Sequence, residues 1–191
     1  VVSSVVNDLL DRSEKMARSE IAELPDGDFV FEDFLDNDGD DGPPQKLKVT
    51  LRIEGEEMTA DLTGTADQAP TAINCMPAYS KSAFFLAVRS ILSPDIPNSG
   101  GFFRPLHLVA PEGTLVNPRF PAAVGSGLVG YRLADCIFGA LAKAAPHLVR
   151  AASEGGTTRY TIATMNNTGS SILSESLVGA WGGHPKKDGV D

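Results

Sequence analysis

Two carboxylates are the first candidates for chemistry, because the residues around them are uncharged. Asp135 lies in an alanine-rich apolar run, and Glu175 lies between two serines in a segment with strand character. A carboxylate removed from water must be paired or must have a raised pKa, and both situations are common at catalytic sites. We therefore expect both side chains to be buried, and we name both as catalytic candidates. The alternative is a structural carboxylate that caps the backbone or pairs with an arginine such as Arg132.

Three asparagines are candidates for substrate binding through their side-chain amides. Asn74, Asn98 and Asn117 lie in turn-like segments, and the last two adjoin a proline. Asparagine commonly forms turns by hydrogen bonding to nearby backbone, so a role in the turn itself is the alternative for each.

The histidines and cysteines do not have the spacing of a metal site. His107, His147 and His184 are far apart in the sequence, and no His-Glu-x-x-His pair occurs. We expect no metal site within these residues. Cys75 and Cys136 are too few for a disulfide scaffold, and we expect both to be small buried residues rather than nucleophiles.

Two loops partly match known ligand-binding motifs. Residues 125–130 fit the pattern G-x-G-x-x-G, but the proline-rich segment before them cannot be a central strand. We expect these glycines to let a buried helix approach its neighbour closely, with nucleotide binding through backbone amides at the start of the helix as the alternative. Residues 36–41 have the first aspartates of a calcium loop, but Asp41 and Leu47 stand where a glycine and a glutamate are required. A solvated acidic loop is expected, with weak cation binding as the alternative.

The composition of the 191 residues is that of a globular protein with an acidic surface. Hydrophobic residues make up 42% and the net charge is -9. No apolar run reaches 18 residues, so we expect no membrane-spanning helix. Residues 20–67 contain 15 acids and 3 bases, and this charge argues against nucleic acid as a partner.

The periodicity predicts the elements that must position these residues. An amphipathic helix is predicted at 5–24 and a polar loop at 33–44. Strict alternation over 46–53 and 57–62 predicts a hairpin with one buried face. Further helices are predicted at 78–92 and 128–145, and further strands at 104–109, 114–116, 159–164 and 172–178. The fold class is therefore α+β, with a mixed or antiparallel sheet and a deeply buried alanine-rich helix.

A series of short segments, read in order, resembles the large B subunit of the hydantoinase/oxoprolinase family. They are LPDG at 24–27, DLTGT at 61–65, PDIPNSG at 94–100, PEGTLVNP at 111–118, ALAKAAP at 140–146 and GAWGG at 179–183. The resemblance covers about residues 7–191 but only part of the family's length. It implies one C-terminal-half domain of a larger cytoplasmic subunit, with a leading helix at 1–24 and an α+β body at 25–191.

The resemblance also implies an activity, the ATP-dependent hydrolysis of cyclic amides such as hydantoins or 5-oxoproline. In such hetero-oligomers ATP is held by an A subunit, which phosphorylates the ring oxygen, and the B subunit directs water onto the activated carbon. The resemblance implies that a divalent metal and catalytic residues lie in the N-terminal portion of the family, and that ATP binds to the partner subunit. The fragment alone is expected to be inactive. Two alternatives remain, a subunit of an acetone-type carboxylase and a non-catalytic scaffold domain that docks subunits through its acidic block.

Overall fold

The computed structural model describes residues 2–38, 40–125, 127–156, 158–166, 169–177, 179 and 182–189. The elements in chain order are α1 Val2–Ile21, β1 Gly27–Leu35, β2 Gln45–Glu54, β3 Glu57–Asp61, α2 Pro77–Ile91, a 3-10 turn Gly100–Phe103, β4 Leu106–Val109, α3 Gly127–Ala144, β5 Thr158–Asn166 and β6 Gly169–Leu177. Helices combined with a mixed sheet confirm the predicted α+β class.

Four strands form a sheet in the order β1-β2-β3-β4. The first three are antiparallel, and β4 is parallel to β3. Ile53 lies opposite Met58 and Leu51 opposite Ala60, and all four are buried. The predicted hairpin with one buried face is therefore confirmed, because period-two alternation places every second side chain on the same face.

Helices α2 and α3 pack against each other, and α3 also packs on β1 and β2. Two of the three glycines of α3, Gly130 and Gly139, lie at close contacts. A Cβ atom at Gly130 would overlap the ring of Tyr79 on α2, and one at Gly139 would lie 2.7 Å from the ring of Phe31 on β1. Gly130 thus supports the close-packing interpretation of the glycine-rich segment, in which Ser126 lies outside the described residues.

The prediction that the alanine-rich helix α3 is buried is confirmed, since only Leu128, Tyr131 and Lys143 among its residues are exposed. Its core face is formed by Val129, Leu133, Ile137 and Leu141. Leu128 is 54% exposed and Tyr131 is also exposed.

Two predictions near the sheet were wrong, one of a loop and one of a strand. The predicted loop at 33–44 begins too early, since β1 runs to Leu35; Phe29, Phe31 and Asp33 alternate on its half-buried face. The alternation was missed because Glu32 and Asp33 interrupt the apolar pattern. Residues 114–116 are buried but form a turn, in which Thr114 makes isolated bridges to Asp67 and Asn117.

The strands β5 and β6 pair with each other in a separate two-stranded sheet. Every residue of β6 is exposed. The prediction of two strands here is confirmed, although Val178, the last residue of the second prediction, lies outside the described residues.

The helices within the described ranges are either too short or too polar to cross a lipid bilayer.

Candidate functional site

A pocket of about 680 Å³ opens between α2, α3, β1 and the segment that follows α3. Its walls are largely apolar and include Phe31, Leu86, Ile91, Phe138 and Leu148. A few polar side chains also line it, namely Asp33, Ser90, Asp135, Arg150 and Ser153. An apolar cavity with a few polar groups is the usual form of a small-molecule site.

Helical spacing explains why Asp135 reaches this pocket. Asp135, Phe138, Gly139 and Ala142 all line it. These positions are separated by three, four and seven residues, so they share one face of α3. The core residues of the same helix lie on another face, and the sequence therefore directs a carboxylate into the pocket and leucine and isoleucine into the core.

The carboxylate of Asp135 is largely removed from water, as expected from the sequence. Its side chain is 10% exposed. It accepts a hydrogen bond of 3.2 Å from the hydroxyl of Ser153, and a guanidinium nitrogen of Arg132 lies 4.0 Å away. Burial raises the pKa of Asp135, while Ser153 and Arg132 act in the opposite direction. A carboxylate of this kind is suited to accept a proton.

Arg132 is shared between several acceptors. One guanidinium nitrogen lies 3.4 Å from Asp33, and the other donates a 3.2 Å hydrogen bond to the carbonyl of Glu154. Arg132 thereby connects β1, α3 and the segment after α3 at the edge of the pocket. The structure therefore gives partial support to the alternative role of Asp135, in which it pairs with Arg132.

Glu175 is not buried, and that expectation was wrong. It lies in β6 opposite Tyr160, and the whole strand is exposed. The reason is that the hairpin has no described layer packed over it. The structure does not bring Glu175 into the Asp135 pocket, whose described lining residues do not include it.

Asn74 is fully buried and holds loops together. Its amide nitrogen donates to the carbonyls of Ala69, Thr71 and Ala123 at 2.8–3.0 Å, and its oxygen accepts from the backbone N–H of Ala69 at 2.8 Å. These bonds occupy both ends of the amide, so the side chain offers no free group to a substrate in this structure.

The other two asparagines do not reach the Asp135 pocket either. Asn117 donates to the carbonyl of Ala110 at 2.8 Å and lies beside a second, more polar pocket of about 490 Å³. Asn98 is exposed just before the 3-10 turn. Their part in substrate binding stays a prediction.

Both thiols are buried, as expected. Burial raises the pKa of Cys136 to about 12, so this residue is a thiol at neutral pH and a poor nucleophile. His107 is exposed and lies 3.4 Å from Glu57, and His147 is exposed as well. Within the described ranges, no three His, Cys, Asp or Glu side chains cluster as metal ligands.

The described part of the glycine-rich segment does not fit ATP. Gly125 lies against the carbonyl of Ala72, and Gly130 lies against Tyr79. A phosphate loop needs open space around such glycines so that backbone amides can approach the phosphates. The residues present here use that space for packing, and we derive no step through ATP on this chain.

Sequence reasoning missed two of the polar residues that accompany Asp135. Asp33 is 102 positions away from Asp135 and Ser153 is 18 positions away. Asp33 could have been found from its place in the alternation with Phe29 and Phe31. Ser153 lies in irregular backbone, for which the sequence carries no periodic signal.

Comparisons with known proteins agree with one another. A family model described as hydantoinase B/oxoprolinase matches residues 1–191. A protein of Pseudomonas sp. (strain NS671), assigned as the B-type subunit of a D-/L-hydantoinase, is 35% identical over 202 residues, which cover 100% of this chain and 34% of that protein. The 5-oxoprolinase of Saccharomyces cerevisiae is 34% identical over 143 residues, covering 74% of this chain and 10% of the relative.

Two solved structures share the fold. An ATP-dependent caprolactamase from Pseudomonas jessenii superposes with a TM-score of 0.80 at 23% identity, over 90% of this chain and 30% of that chain. An acetone carboxylase superposes with a TM-score of 0.73 at 13% identity, over 93% and 26%. The chain thus spans about a third or less of the proteins that it matches.

Proposed function

The chain belongs to the hydantoinase B/oxoprolinase family, and from this we propose that residues 1–191 form one domain of a B-type subunit in a cytoplasmic, ATP-dependent hydrolase of cyclic amides. The substrates would be hydantoin or 5-oxoproline rings. ATP would bind to a partner A-type subunit. The divalent metal that the family resemblance implies would bind to an N-terminal portion of the parent protein outside this chain.

The observation that carries this proposal, beyond family membership, is the position of Asp135. Its carboxylate is nearly buried at the side of an apolar pocket large enough for a small cyclic molecule. Perturbed acids in such pockets are candidates for proton transfer.

The chemistry needs a group of this kind. Opening a cyclic amide requires water to form a bond to the ring carbonyl carbon, the ring C–N bond to break, and the ring nitrogen to gain a proton. A base that takes a proton from the attacking water accelerates the first of these steps. We assign this role to Asp135, with Ser153 fixing the orientation of its carboxylate through the 3.2 Å hydrogen bond. Activation of the ring oxygen is assigned to the partner subunit, which would transfer the γ-phosphoryl group of ATP to that oxygen and release ADP. After attack of the first water and cleavage of the ring C–N bond, a second water would hydrolyse the resulting acyl phosphate and release inorganic phosphate.

The second carboxylate predicted from the sequence, Glu175, supports the proposal less well. Its exposure means that it could act only if another part of the assembly covers β6. We keep Glu175 as a candidate in the complete complex and rank it below Asp135. Neither Asn98 nor Asn117 lines the Asp135 pocket. They remain candidates for substrate contacts that form only when the rest of the assembly is present.

The test is ATP-dependent ring opening by the full-length parent protein purified together with its partner subunit. We expect the Asp135→Asn variant to lose about 100-fold or more in kcat, the usual contribution of a general base. The matched control is Asp8→Asn, which removes an exposed carboxylate from α1 and should leave kcat unchanged. Size-exclusion chromatography must show the same assembly for all three proteins.

Two rival functions have their own outcomes in this experiment. Bicarbonate-dependent consumption of acetone would place the parent protein with the carboxylases, a rival that the similarity of fold to acetone carboxylase keeps open. Unchanged ring opening in the Asp135→Asn variant, with intact assembly, would favour a scaffold domain that docks subunits. Sequence identity favours hydrolysis, because the relatives above 30% include a hydantoinase component and a 5-oxoprolinase.

A further inference from the structure

We propose that Asp33 is a positioning residue for the reaction: it engages the guanidinium of Arg132 and thereby leaves the carboxylate of Asp135 free to take a proton from water. This inference rests on the proposed function and assigns a further residue to the same site. Asp33 lies on β1 and Asp135 on α3, and both line the same pocket.

The position of Arg132 between the two acids is the first observation. One of its guanidinium nitrogens lies 3.4 Å from Asp33 and 4.0 Å from Asp135. A hydrogen bond forms at the shorter of these distances, and the longer one is beyond hydrogen-bonding range. Arg132 therefore interacts mainly with the acid on β1, although Asp135 lies one helical turn away on its own helix.

The segment after α3 holds the guanidinium in this place. The second guanidinium nitrogen donates a 3.2 Å hydrogen bond to the carbonyl of Glu154. A Cβ atom at Gly155 would overlap the guanidinium, so the group lies directly against the backbone there. A change of charge at Asp33 therefore reaches Asp135 through a cation whose place is fixed from a third side.

The other elements around Asp135 leave Asp33 and Arg132 as the charged groups that decide its environment. In the segment after α3, Ser153 donates a hydrogen bond to Asp135, and Arg150 makes an interaction of its own. On β2, the residues that pack into the core are apolar, and its two lysines lie near Glu32. The described residues of α2 that line the pocket are uncharged, namely Leu86, Ser90 and Ile91.

The balance of these groups suits a base. Burial raises the pKa of Asp135, Arg132 lowers it, and the negative charge of Asp33 raises it. A complete ion pair with an arginine lowers the pKa of an aspartate by about 1–3 units, which makes the carboxylate a weaker base. By holding Arg132 at the shorter distance, Asp33 prevents that loss of basicity.

The test follows the protonation of Asp135 in an Asp33→Asn variant. Asparagine removes the charge and retains an oxygen that can accept the 2.8 Å hydrogen bond from the backbone N–H of Phe34. Carbon-13 NMR titration of the 191-residue chain should show the pKa of Asp135 falling by about one unit. In the parent complex, the acid limb of the profile of kcat/KM against pH should move to lower pH by the same amount, because that limb reports the ionisation of the base.

Two further variants and a control sharpen the comparison. Asp33→Ser removes the same charge with a smaller side chain and should shift the pKa of Asp135 in the same direction. In an Arg132→Gln background, Asp33→Asn should have a much smaller effect, because the arginine carries the coupling between the two acids. The matched control is Asp28→Asn, which removes a carboxylate from the same strand that pairs with Arg52 instead and should move neither the pKa nor the acid limb.

The outcomes separate this inference from the proposed function. An unchanged pKa of Asp135 in both Asp33 variants overturns the inference and leaves the proposed function standing. A lowered pKa with an acid limb that stays in place, including a uniform loss of activity at every pH, also overturns it. Matching shifts in the two measurements support it. Absence of any ring opening by the wild-type complex counts against the proposed function, and the NMR titration then still decides whether Asp33 controls the protonation of Asp135.

Discussion

A guanidinium nitrogen of Arg132 lies 4.0 Å from the carboxylate of Asp135, at the outer limit of an ion pair. The same nitrogen is closer to Asp33, at 3.4 Å. Arg132 therefore compensates the burial of Asp135 only in part, and the pKa of Asp135 is raised. Asp135, the candidate base, is only partly neutralised by Arg132 because Asp33 on β1 lies closer to the same guanidinium nitrogen.

The first prediction concerns the stability of Asp135→Asn as a function of pH. Because the pKa of Asp135 is higher in the folded chain than in the unfolded chain, its ionised form costs folding free energy. That cost is absent below the unfolded pKa, about 3.9, and complete above the folded pKa. Relative to wild type, the variant should therefore gain stability between about pH 4 and pH 7.

Urea denaturation at both pH values measures this difference. The exposed Asp8→Asn variant shows what the loss of a surface carboxylate does by itself. A stability difference between Asp135→Asn and wild type that shrinks as the pH rises would contradict the raised pKa.

The second prediction concerns Asn74, whose side-chain amide joins its own loop, at Ala69 and Thr71, to the segment at Ala123. Asn74→Ala removes a partner from the buried backbone N–H and carbonyl of Ala69 and from the carbonyls of Thr71 and Ala123. We expect the free energy of unfolding to fall by roughly 2–4 kcal/mol, since each unsatisfied buried group costs about 1–3 kcal/mol and solvent relieves part of the loss. Asn98→Ala, at an exposed position, should change it by less than about 0.5 kcal/mol. Equal midpoints of chemical denaturation for the two variants would contradict a stabilising role for the hydrogen bonds of Asn74.

The third prediction concerns the contact between α2 and α3. Gly130→Ala introduces a methyl group that overlaps the ring of Tyr79, so we expect a loss of about 1–3 kcal/mol from overpacking. Gly127→Ala at the start of the same helix is the control. The nearest atom there lies 3.9 Å away on Tyr131, and the variant should be as stable as wild type or up to about 1 kcal/mol more stable. Thermal unfolding distinguishes the two, and a Gly130→Ala protein that melts with wild type would show that the helices can separate without penalty.

The fourth prediction concerns the reactivity of Cys136. With a pKa of about 12 and a buried sulfur, it is protonated and inaccessible at pH 8. We expect Ellman's reagent to modify neither Cys136 nor the buried Cys75 in the native chain, and both in urea. A Ser82→Cys variant provides an exposed thiol on α2 that should react at once. Rapid modification of Cys136 without denaturant would refute its burial.

The local parts of the fold could be predicted from the sequence. The alternation in β2 and β3 specified both the strands and their buried face, because the pattern and the tight turn at Gly55 lie within 20 residues. β1 was missed since its half-buried face includes Asp33, which interrupts the apolar pattern. Thr114–Val116 resembled a strand because it is apolar and buried, but its neighbours place it in a turn.

The candidate site was also predictable only where a local pattern determines the position of the residue. The burial of Asp135 followed from its place in an apolar helix, because a helix of this kind must pack against something. The burial of Glu175 did not follow, because a strand has two faces and its exposure depends on what lies over it. The four hydrogen bonds of Asn74 involve a carbonyl 49 residues away, which no local pattern encodes.

The separate β5–β6 hairpin should unfold locally before the rest of the chain. A two-stranded hairpin is marginally stable in water when no other layer covers it. Opening it exposes little new apolar surface, since side chains such as Ile172 and Leu173 are already in contact with solvent. Amide protons in β5 and β6 should therefore exchange for deuterium long before those of β2, where Leu47 and Val49 are fully buried. The hairpin and the four-stranded sheet would then behave as two cooperative units, and a rise in protection confined to the hairpin would report the arrival of whatever covers it.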